Sequence, residues 1–310
     1  MPEQLRNVGI SLEKQLSFGI HQIPLNGISY TGRMSEIQVS IGSDSSSDQG
    51  KRPPAADKPG RSPRNRSLER GVEILRAFRP GSALLGNMEL AERTGLSKST
   101  VTRLTQTLVG TGFLQIDPRT RAYRLAPAVL SLAHAMRSGS AILATAAPFM
   151  RSAAQTHRIN VGLAAPDADE MVYLESIRYN PRPSLRSVVS GQRVPMELTS
   201  LGRAYLASAT PEKQRQLMAH FRKTRSAQWN ELGPQILDAI QEVKLRDCCS
   251  ASWQPEVVAV ATPLVFEGGD YALNMSVSTS DPTPEVLQRL IPLLMKLKAE
   301  IDHSLNSISN

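Results

Sequence analysis

The stretch RTGLSKSTVTRLTQTLVGTGFL, from Arg93 to Leu114, combines a helical apolar period with a polar outer face. At 100° per residue, Val101, Leu104 and Leu108 fall on one side of the helix. The opposite side carries hydroxyl, amide and guanidinium groups, which are hydrogen-bond partners for base edges and phosphates, whereas glutamates would be repelled there. The residues of this polar side are Ser99, Thr102, Arg103, Gln106 and Thr107.

Two shorter helices are predicted before this one. The first begins at Ser67 as N-cap, and the second covers MELAERT with Asn87 as N-cap. Gly95 supplies the turn to the third helix, which Ser97 caps and Gly110 ends. Three helices with a short turn before the last form a helix-turn-helix, whose last helix enters the major groove of DNA. The apolar residues predicted on the inner face of the first helix are Leu68, Val72, Leu75 and Phe78.

A β-hairpin wing is predicted directly after the third helix, in FLQIDPRTRAYRLA. Two short runs with partial alternation, Phe113 to Ile116 and Ala122 to Leu125, flank the turn-forming cluster Asp117 to Thr120. Arg119 and Arg121 at the tip are placed to reach a phosphate backbone or a minor groove. Solvated arginines on a surface hairpin are an equally ordinary explanation.

The charge is distributed unevenly along the chain. Up to Ser138 there are 19 Lys and Arg against 11 Asp and Glu, and from Gly139 onward there are 17 of each, so the net charge of +8 lies in the first part. A basic segment joined to a neutral one indicates that one domain faces a polyanion such as nucleic acid. A basic flexible tail without a partner is the alternative explanation.

Length and composition predict about two domains in a soluble, cytoplasmic protein. No apolar run approaches the ~20 residues needed to span a bilayer, and no secretory signal begins the chain. The two cysteines, Cys248 and Cys249, are adjacent, which suits a reducing compartment. Residues 1–66, rich in Ser, Gly, Pro and charge from Ser40 onward, are predicted to be a disordered arm. Met34 could begin a chain of its own, so residues 1–33 are either natural or the product of an upstream start codon.

The second half alternates helical and strand-like segments. A linker helix over residues 127–139 and a helix to about Thr156 precede the strand-like segments NVGLAA, MVYLESI and SLRSVV. This mixed order favours a single sheet with helices on its faces. The later predicted helices are Leu201 to Ser208, Glu212 to Phe221, Leu232 to Val243 and one from near Pro284, with strands over Val257 to Val265 and Tyr271 to Val277.

Two other classes of protein compete with a regulator. Cys249 could act as a thiolate nucleophile with a histidine base, or with Cys248 as a redox sensor, in an enzyme carrying a nucleic-acid-binding arm. The histidines are scattered, however, and the sequence has no metal-ligand spacing and no phosphate-binding glycine motif. Buried, inert cysteines are therefore the favoured interpretation, with neither metal nor cofactor. A non-specific nucleoid-type DNA binder is the remaining alternative.

The block MELAERTGLSKSTVTRLTQTLVGTGFLQIDPRTRAYRLAPAVLSLA resembles the winged helix-turn-helix of the IclR family of bacterial transcriptional regulators. RVPMELTSLGRAYLAS, WQPEVVAVATPLV and ALNMSVS resemble segments of the family's effector domain. The resemblance implies an α+β protein: an N-terminal winged helix-turn-helix (67–126) joined by a helical linker (127–139) to a GAF-like α/β effector-binding and oligomerisation domain (140–306) with a six-stranded sheet. Arg203 stands where the family usually has Lys, and LRDCCSASW lacks the customary Gly-aromatic pair.

These observations lead to two sets of predicted site residues. The chain is expected to form a dimer or a dimer of dimers, since one such helix reads few base pairs, and to bind a double-stranded operator. Period two places Ser276 and Ser278 on one face of their strand, so that they point together either into a cavity or at solvent. The resemblance favours the cavity, where a small-molecule effector, a carboxylate in our hypothesis, would meet these hydroxyls and the backbone amides at a helix N-terminus. The DNA-binding residues are Ser97, Lys98, Ser99, Thr100, Thr102, Arg103, Gln106, Arg119 and Arg121. The effector-binding residues are Ser200, Leu201, Gly202, Cys249, Ser276 and Ser278.

Overall fold

A computed structural model describes residues 65–179, 189–254 and 256–308 of the chain. The described residues all belong to one compact unit, residues 62–310. The predicted arm, apart from residues 65–66, and the predicted strand SLRSVV, apart from residue 189, lie outside them.

The helices are α1 Arg66–Arg76, α2 Asn87–Thr94, α3 Lys98–Gly110, α4 Ala128–Ser138, α5 Ala141–His157, α6 Ser200–Ser208, α7 Pro211–Thr224, α8 Trp229–Arg246 and α9 Thr283–Ile308, with a 3-10 turn at Ser226–Gln228. The strands are β1 Leu114–Ile116, β2 Tyr123–Leu125, β3 Asn160–Asp167, β4 Glu170–Ile177, β5 Arg193–Pro195, β6 Cys249–Ala251, β7 Val257–Phe266 and β8 Gly269–Ser278.

The three N-terminal helices form the predicted helix-turn-helix, but two of its three predicted caps are wrong. α1 is capped by Asn65, whose side-chain oxygen accepts from the backbone N–H groups of Ser67 and Leu68 at 3.1 Å. Gly86 takes the extended N-cap conformation before α2, and Glu89 reaches back to its N–H at 3.3 Å. In both cases the helix begins earlier than the apolar pattern indicates. The cap of α3 by Ser97 is as predicted.

The buried face of α1 also differs from the predicted one. Leu68 and Val72 are exposed, whereas Ile74 is completely buried and Phe78, just beyond the helix, is buried with it. The helix is therefore rotated so that its first two turns leave an apolar surface uncovered within the described chain. The core of this domain consists of Ile74, Ala77, Phe78, Leu85, Leu90, Val101, Leu104, Leu114 and Tyr123.

The wing is a two-stranded antiparallel hairpin in which Leu114 pairs with Leu125 and Ile116 with Tyr123. Its turn lies where the sequence predicts it, with the side chain of Asp117 accepting from the backbone N–H of Thr120 at 2.9 Å. Leu114 and Tyr123 are buried against the three helices, which fixes the hairpin beside α3.

The second half contains one six-stranded antiparallel sheet in the order β5-β4-β3-β8-β7-β6. Helices α5 and α9 pack on one face, and α6 with α8 packs on the other. The α+β class and the GAF-like domain are thereby confirmed. The two edge strands, β5 and β6, have three residues each and were not predicted, because neither has a hairpin turn beside it like the one that marks the equally short β1 and β2. No helix in the described ranges is both long and apolar enough to cross a lipid bilayer.

Candidate nucleic-acid interface and effector site

The outer face of α3 is a continuous polar surface. Thr100 and Thr102 are half-buried, and the exposed residues are Ser97, Lys98, Ser99, Arg103, Gln106 and Thr107. Val101 and Leu104 anchor the opposite side in the core. The apolar and polar faces predicted for this helix are therefore the buried and exposed faces in the structure.

The polar side chains of α3 fall into two groups. The threonine hydroxyls bond within the helix: Thr102 Oγ1 donates to the Lys98 carbonyl at 3.0 Å, and Thr107 Oγ1 to the Arg103 carbonyl at 3.1 Å. Arg103 and Gln106 project into solvent with no hydrogen-bond partner among the described residues. These two side chains are thus the ones with all their donors and acceptors available for a base edge.

The N-terminus of α3 presents a second kind of contact. Ser97 Oγ accepts from the Thr100 N–H at 3.3 Å and also lies 2.9 Å from Thr100 Oγ1. The first N–H groups of the helix and the ammonium group of Lys98 therefore share one exposed positive end. Such an end attracts a phosphate without reading sequence.

At the wing tip, Arg119 and Arg121 are exposed to solvent. Arg121 adopts a left-handed backbone conformation (φ 59°), which turns the chain back into β2. Hydrogen bonds from Thr120 hold the pKa of Asp117 below its usual value, so the carboxylate that closes the turn stays ionised. The geometry permits both interpretations of the two arginines that the sequence allowed.

The N-terminus of α6 is buried. Thr199, at 4% exposure, caps it by accepting from the Gly202 N–H at 3.3 Å. The N–H groups of Ser200 and Leu201 have no acceptor among the described residues. A Cβ on Gly202 would lie 2.0 Å from the Met196 carbonyl oxygen, so only glycine allows the chain before the helix to approach so closely. The side chain of Leu201 packs into the core.

Ser276 and Ser278 lie on the sheet face that α6 covers. They alternate with Met275, which packs on the opposite face with α5 and α9. Ser276 is half-buried between its neighbours Asn160 on β3 and Ala259 on β7, whereas Ser278 is exposed at the end of its strand. The two serines share a face as predicted, but only Ser276 lies in an enclosed position.

The structure adds polar residues that the sequence reasoning missed. Asn274, 5% exposed and two residues before Ser276, has a side-chain oxygen with no hydrogen-bond partner among the described residues. The ring of Tyr173 lies beside it, across Gly162, where an added Cβ would be 2.4 Å from the ring. Burial raises the pKa of Tyr173 to about 12, so its phenol stays neutral. Asparagine in the middle of an apolar strand was the one signal that could have identified this group.

The adjacent cysteines point to opposite faces of the sheet. Cys248 packs with α5 and α9, and Cys249 packs with α6 and α8, with its sulfur 3.6 Å from the Ser200 carbonyl oxygen. Burial raises the pKa of both thiols, that of Cys249 to about 12. A neutral, buried thiol is a poor nucleophile, which argues against both the enzyme and the redox-sensor alternatives.

Arg203, one turn into α6, does not face solvent. Its side chain donates to the Glu197 carbonyl at 3.1 Å and to the Gln235 side chain at 3.2 Å, and burial lowers its pKa. It therefore connects α6 to the segment that precedes it and to α8. Over the described ranges there is no group of three or more His, Cys, Asp or Glu side chains placed to hold a metal ion.

A winged helix-turn-helix joined to an α/β domain with a polar, half-enclosed sheet face defines a ligand-responsive DNA-binding regulator. Residues 67–118 match the IclR helix-turn-helix domain, and residues 134–303 match the C-terminal domain of the bacterial transcriptional regulator IclR. The transcriptional regulator TsaQ1/TsaQ2 of Comamonas testosteroni is 32% identical over 250 residues, covering 75% of this chain and 88% of that protein.

Two solved structures have the same fold. An IclR family regulator from Brucella abortus has a TM-score of 0.71 at 31% identity, over 79% of this chain and 96% of that one. An IclR homologue from Microbacterium hydrocarbonoxydans, complexed with 4-hydroxybenzoate, shares the fold with a TM-score of 0.58 at 20% identity, over 78% and 99%. The chain belongs to the IclR family of bacterial transcriptional regulators, with a helix-turn-helix DNA-binding domain and an effector-binding domain.

Proposed function

We propose that the protein binds a pseudo-palindromic operator as a dimer, in the bacterial cytoplasm, and that a small organic acid bound beneath α6 modulates this binding. The observation that carries the proposal is the exposed face of α3, where Arg103 and Gln106 have their polar groups available. Arginine bonds the O6 and N7 atoms of guanine, and glutamine bonds adenine, in the major groove. No catalytic role is proposed for any residue.

Phosphate contacts complete the interface in this proposal. Ser97, Lys98, Ser99 and Thr100 surround the positive end of α3, and Arg119 and Arg121 extend from the wing. These groups fix the position of the helix in the groove, and Thr102 packs along the rim. Affinity for any DNA should then fall steeply with salt as counterions are displaced.

A second copy of the chain is the proposed partner of α4. This helix has no buried residue within the described chain, and Leu130, Leu132 and Met136 are 74%, 58% and 53% exposed. Leu68 and Val72 on α1 are exposed as well. Exposed apolar side chains on a helix surface favour association. A dimer through these helices would present two copies of α3, as half-sites about 34 Å apart require.

The proposed ligand site consists of Ser200, Leu201, Gly202, Cys249, Ser276 and Ser278, hereafter the α6 site. The buried N–H groups of Ser200 and Leu201 suit a carboxylate, because a helix N-terminus stabilises negative charge, more strongly where water is excluded. Ser276 would donate a further hydrogen bond from the sheet. Asn274 and Tyr173 add neutral polar groups that suit a hydroxyl on the same ligand. The ligand of the homologue complexed with 4-hydroxybenzoate has both a carboxylate and a hydroxyl, which makes that compound the first probe.

The test is operator selection from genomic DNA followed by binding titrations. We expect a selected palindrome to bind at least 1000-fold more tightly than random DNA of equal length, the lower end of the range for specific regulators. Titration with a panel of organic acids, beginning with 4-hydroxybenzoate, should shift the operator affinity. A protein with equal affinity for all sequences would be a non-specific binder, and the proposal would fail.

A further inference from the structure

Three arginines and two carboxylates meet where the DNA-binding domain touches the effector domain. The carboxylates, Asp167 and Glu170, lie at the turn between β3 and β4. Arg76 at the end of α1 and Arg79 just after it reach this turn from the DNA-binding domain. Arg193 on β5 reaches it from within the effector domain.

Each carboxylate is held by two arginines. Arg79 binds Glu170 through both guanidinium ends, at 2.7 and 2.9 Å, and Arg76 lies 2.7 Å from Asp167. Arg193 joins the two acids, with Nε 2.7 Å from Glu170 and Nη1 2.6 Å from Asp167. Its side chain is 17% exposed, whereas those of Arg76 and Arg79 are 54% and 49% exposed.

The shared arginine distinguishes this cluster from an ordinary surface ion pair. An isolated exposed pair is screened by water and salt and contributes little. Here the bidentate contact fixes direction as well as distance, and Arg193 holds both acids in place before the DNA-binding domain docks on them. A second bridge runs in parallel, because Arg137 on α4 lies 2.7 Å from Glu175 on β4.

The strand that carries Arg193 leads directly to the α6 site. Thr199 Oγ1 donates to the Pro195 carbonyl at 2.9 Å and accepts from the Gly202 N–H at 3.3 Å, so one hydroxyl ties the end of β5 to the first turn of α6. The backbone of Met196 also packs directly on Gly202. A displacement of this helix N-terminus therefore pulls on β5 through short, stiff connections.

We propose that these five residues, which we call the arginine joint, set the position of the DNA-binding domain on the effector domain, and that β5 carries a displacement of α6 to it. Arg193 is the moving part, since it bonds both acids and lies on the strand that α6 pulls. The regulatory meaning rests on the function proposed above, while the mechanical claim concerns this chain alone. Coupling between distant sites requires an element with two arrangements, and in this proposal the joint is that element.

The mechanical claim is tested without DNA or ligand, by measuring the distance between spin labels on the two domains. Labels at Thr107→Cys on α3 and Lys223→Cys on α7 report that distance, and Cys248 and Cys249 are too buried to label. Labelled chains are diluted into excess unlabelled chains to remove distances between subunits. We expect Arg193→Gln to at least double the width of the distance distribution, and Arg79→Gln to broaden it as well.

The control variant is Arg246→Gln, which removes an arginine from an ion pair with Glu242 on α8, away from the joint; its side chain is 45% exposed, close to the 49% of Arg79. It should leave the distribution as in the wild type. Equal widths for Arg193→Gln and Arg246→Gln would overturn the joint, even if operator binding is found. A missing operator with a broadened Arg193→Gln distribution would instead overturn the proposed function and keep the joint.

The connection through β5 is tested from its other end. Thr199→Ala cuts the link between Pro195 and Gly202 without adding atoms, and Thr199→Ser keeps the hydroxyl. We expect Thr199→Ala to broaden the distribution in the same direction as Arg193→Gln but by less, and Thr199→Ser to restore it. Wild-type distances in Thr199→Ala would show that β5 does not carry the displacement.

Discussion

Helices α3 and α6 begin with the same kind of N-cap in different surroundings. In each, the hydroxyl of the N-cap residue accepts a hydrogen bond from the N–H of the third helical residue at 3.3 Å. The N-cap is Ser97 in α3 and Thr199 in α6. Ser97 is exposed, whereas Thr199 is buried. The chemistry is shared, and the surroundings differ.

The difference shows how burial changes what a helix N-terminus can recognise. At the exposed end of α3, water and salt screen the partial positive charge, which suits a polyanion bound through many weak contacts. At the buried end of α6 the same charge acts through a low dielectric, and in the proposal above the enclosing residues would exclude anions of the wrong shape. One terminus is therefore suited to affinity for DNA in general, and the other to the selection of one small ligand.

The largest effect is expected from adding one methyl group at the buried terminus. In Gly202→Ala the new Cβ would lie 2.0 Å from the Met196 carbonyl oxygen, and neither backbone can move easily. We expect a loss of about 3 kcal/mol or more in the free energy of unfolding, measured by denaturant titration. Gly110→Ala, at the end of α3 with no atom within 4 Å of the new Cβ, is the control and should change stability by less than about 1 kcal/mol. Equal stability of the two variants would mean that the chain before α6 is loosely packed.

Next in size is the loss of base readout at the exposed helix. Arg103→Ala should weaken binding to the selected operator by about 1–3 kcal/mol and leave binding to random DNA nearly unchanged, because base contacts specify and phosphate contacts position. Lys98→Ala is the matched variant, and it should weaken both to a similar degree. Fluorescence anisotropy with the two DNAs separates these patterns. Equal losses on both DNAs for Arg103→Ala would remove Arg103 from base readout.

A comparable or smaller effect is expected at the ligand side of the comparison. Ser276→Ala should leave operator affinity intact and weaken the response to the active organic acid by about 1–3 kcal/mol, because a buried ligand oxygen would lose its partner. Ser278→Ala, at the exposed end of the same strand, should change the response much less. The midpoint of the ligand titration measures both. An unmoved midpoint in Ser276→Ala would place the ligand elsewhere in the domain.

The smallest effects concern the two caps themselves. Ser97→Ala should cost about 1 kcal/mol of stability. Thr199→Ala should cost somewhat more, because the N–H of Gly202 would lose its acceptor in a buried position. Ser97→Gly should cost only a few tenths of a kcal/mol, since glycine leaves the N–H groups open to water. Thermal unfolding of the three variants gives the order. If Ser97→Ala proved the most destabilising, burial would not be what separates the two termini.

The sequence predicted the regular parts of both domains because their signals are local. The polar face of α3, the wing turn at Asp117 and the long strands β7 and β8 each follow from residues close in the chain. The caps of α1 and α2 were misplaced because a cap depends on which residue takes an extended conformation, and Asn65 precedes the apolar pattern altogether. The three-residue edge strands β5 and β6 were missed because, unlike the wing strands, they have no recognisable hairpin turn beside them.

The parts of the site that could not be predicted depend on contacts between distant segments. Tyr173, Gly162 and Asn274 belong to three strands, and nothing in the sequence says that those strands are neighbours in this register. Likewise Arg76 and Asp167 are 91 residues apart, and each alone resembles an ordinary surface charge. For the α6 site, the sequence placed serines on one strand face, but only packing separated the enclosed Ser276 from the exposed Ser278.

The adjacent thiols of Cys248 and Cys249 provide a built-in pair of reporters. A single peptide bond separates them, yet each is sealed in a different hydrophobic layer, one beneath α9 and the other beneath α6. A thiol reagent can reach either sulfur only when that layer opens, so the two alkylation rates measure two local opening equilibria in the same molecule. Peptide mapping of the modified protein would therefore time the loosening of the α6 layer against an internal standard, with no engineered label at all.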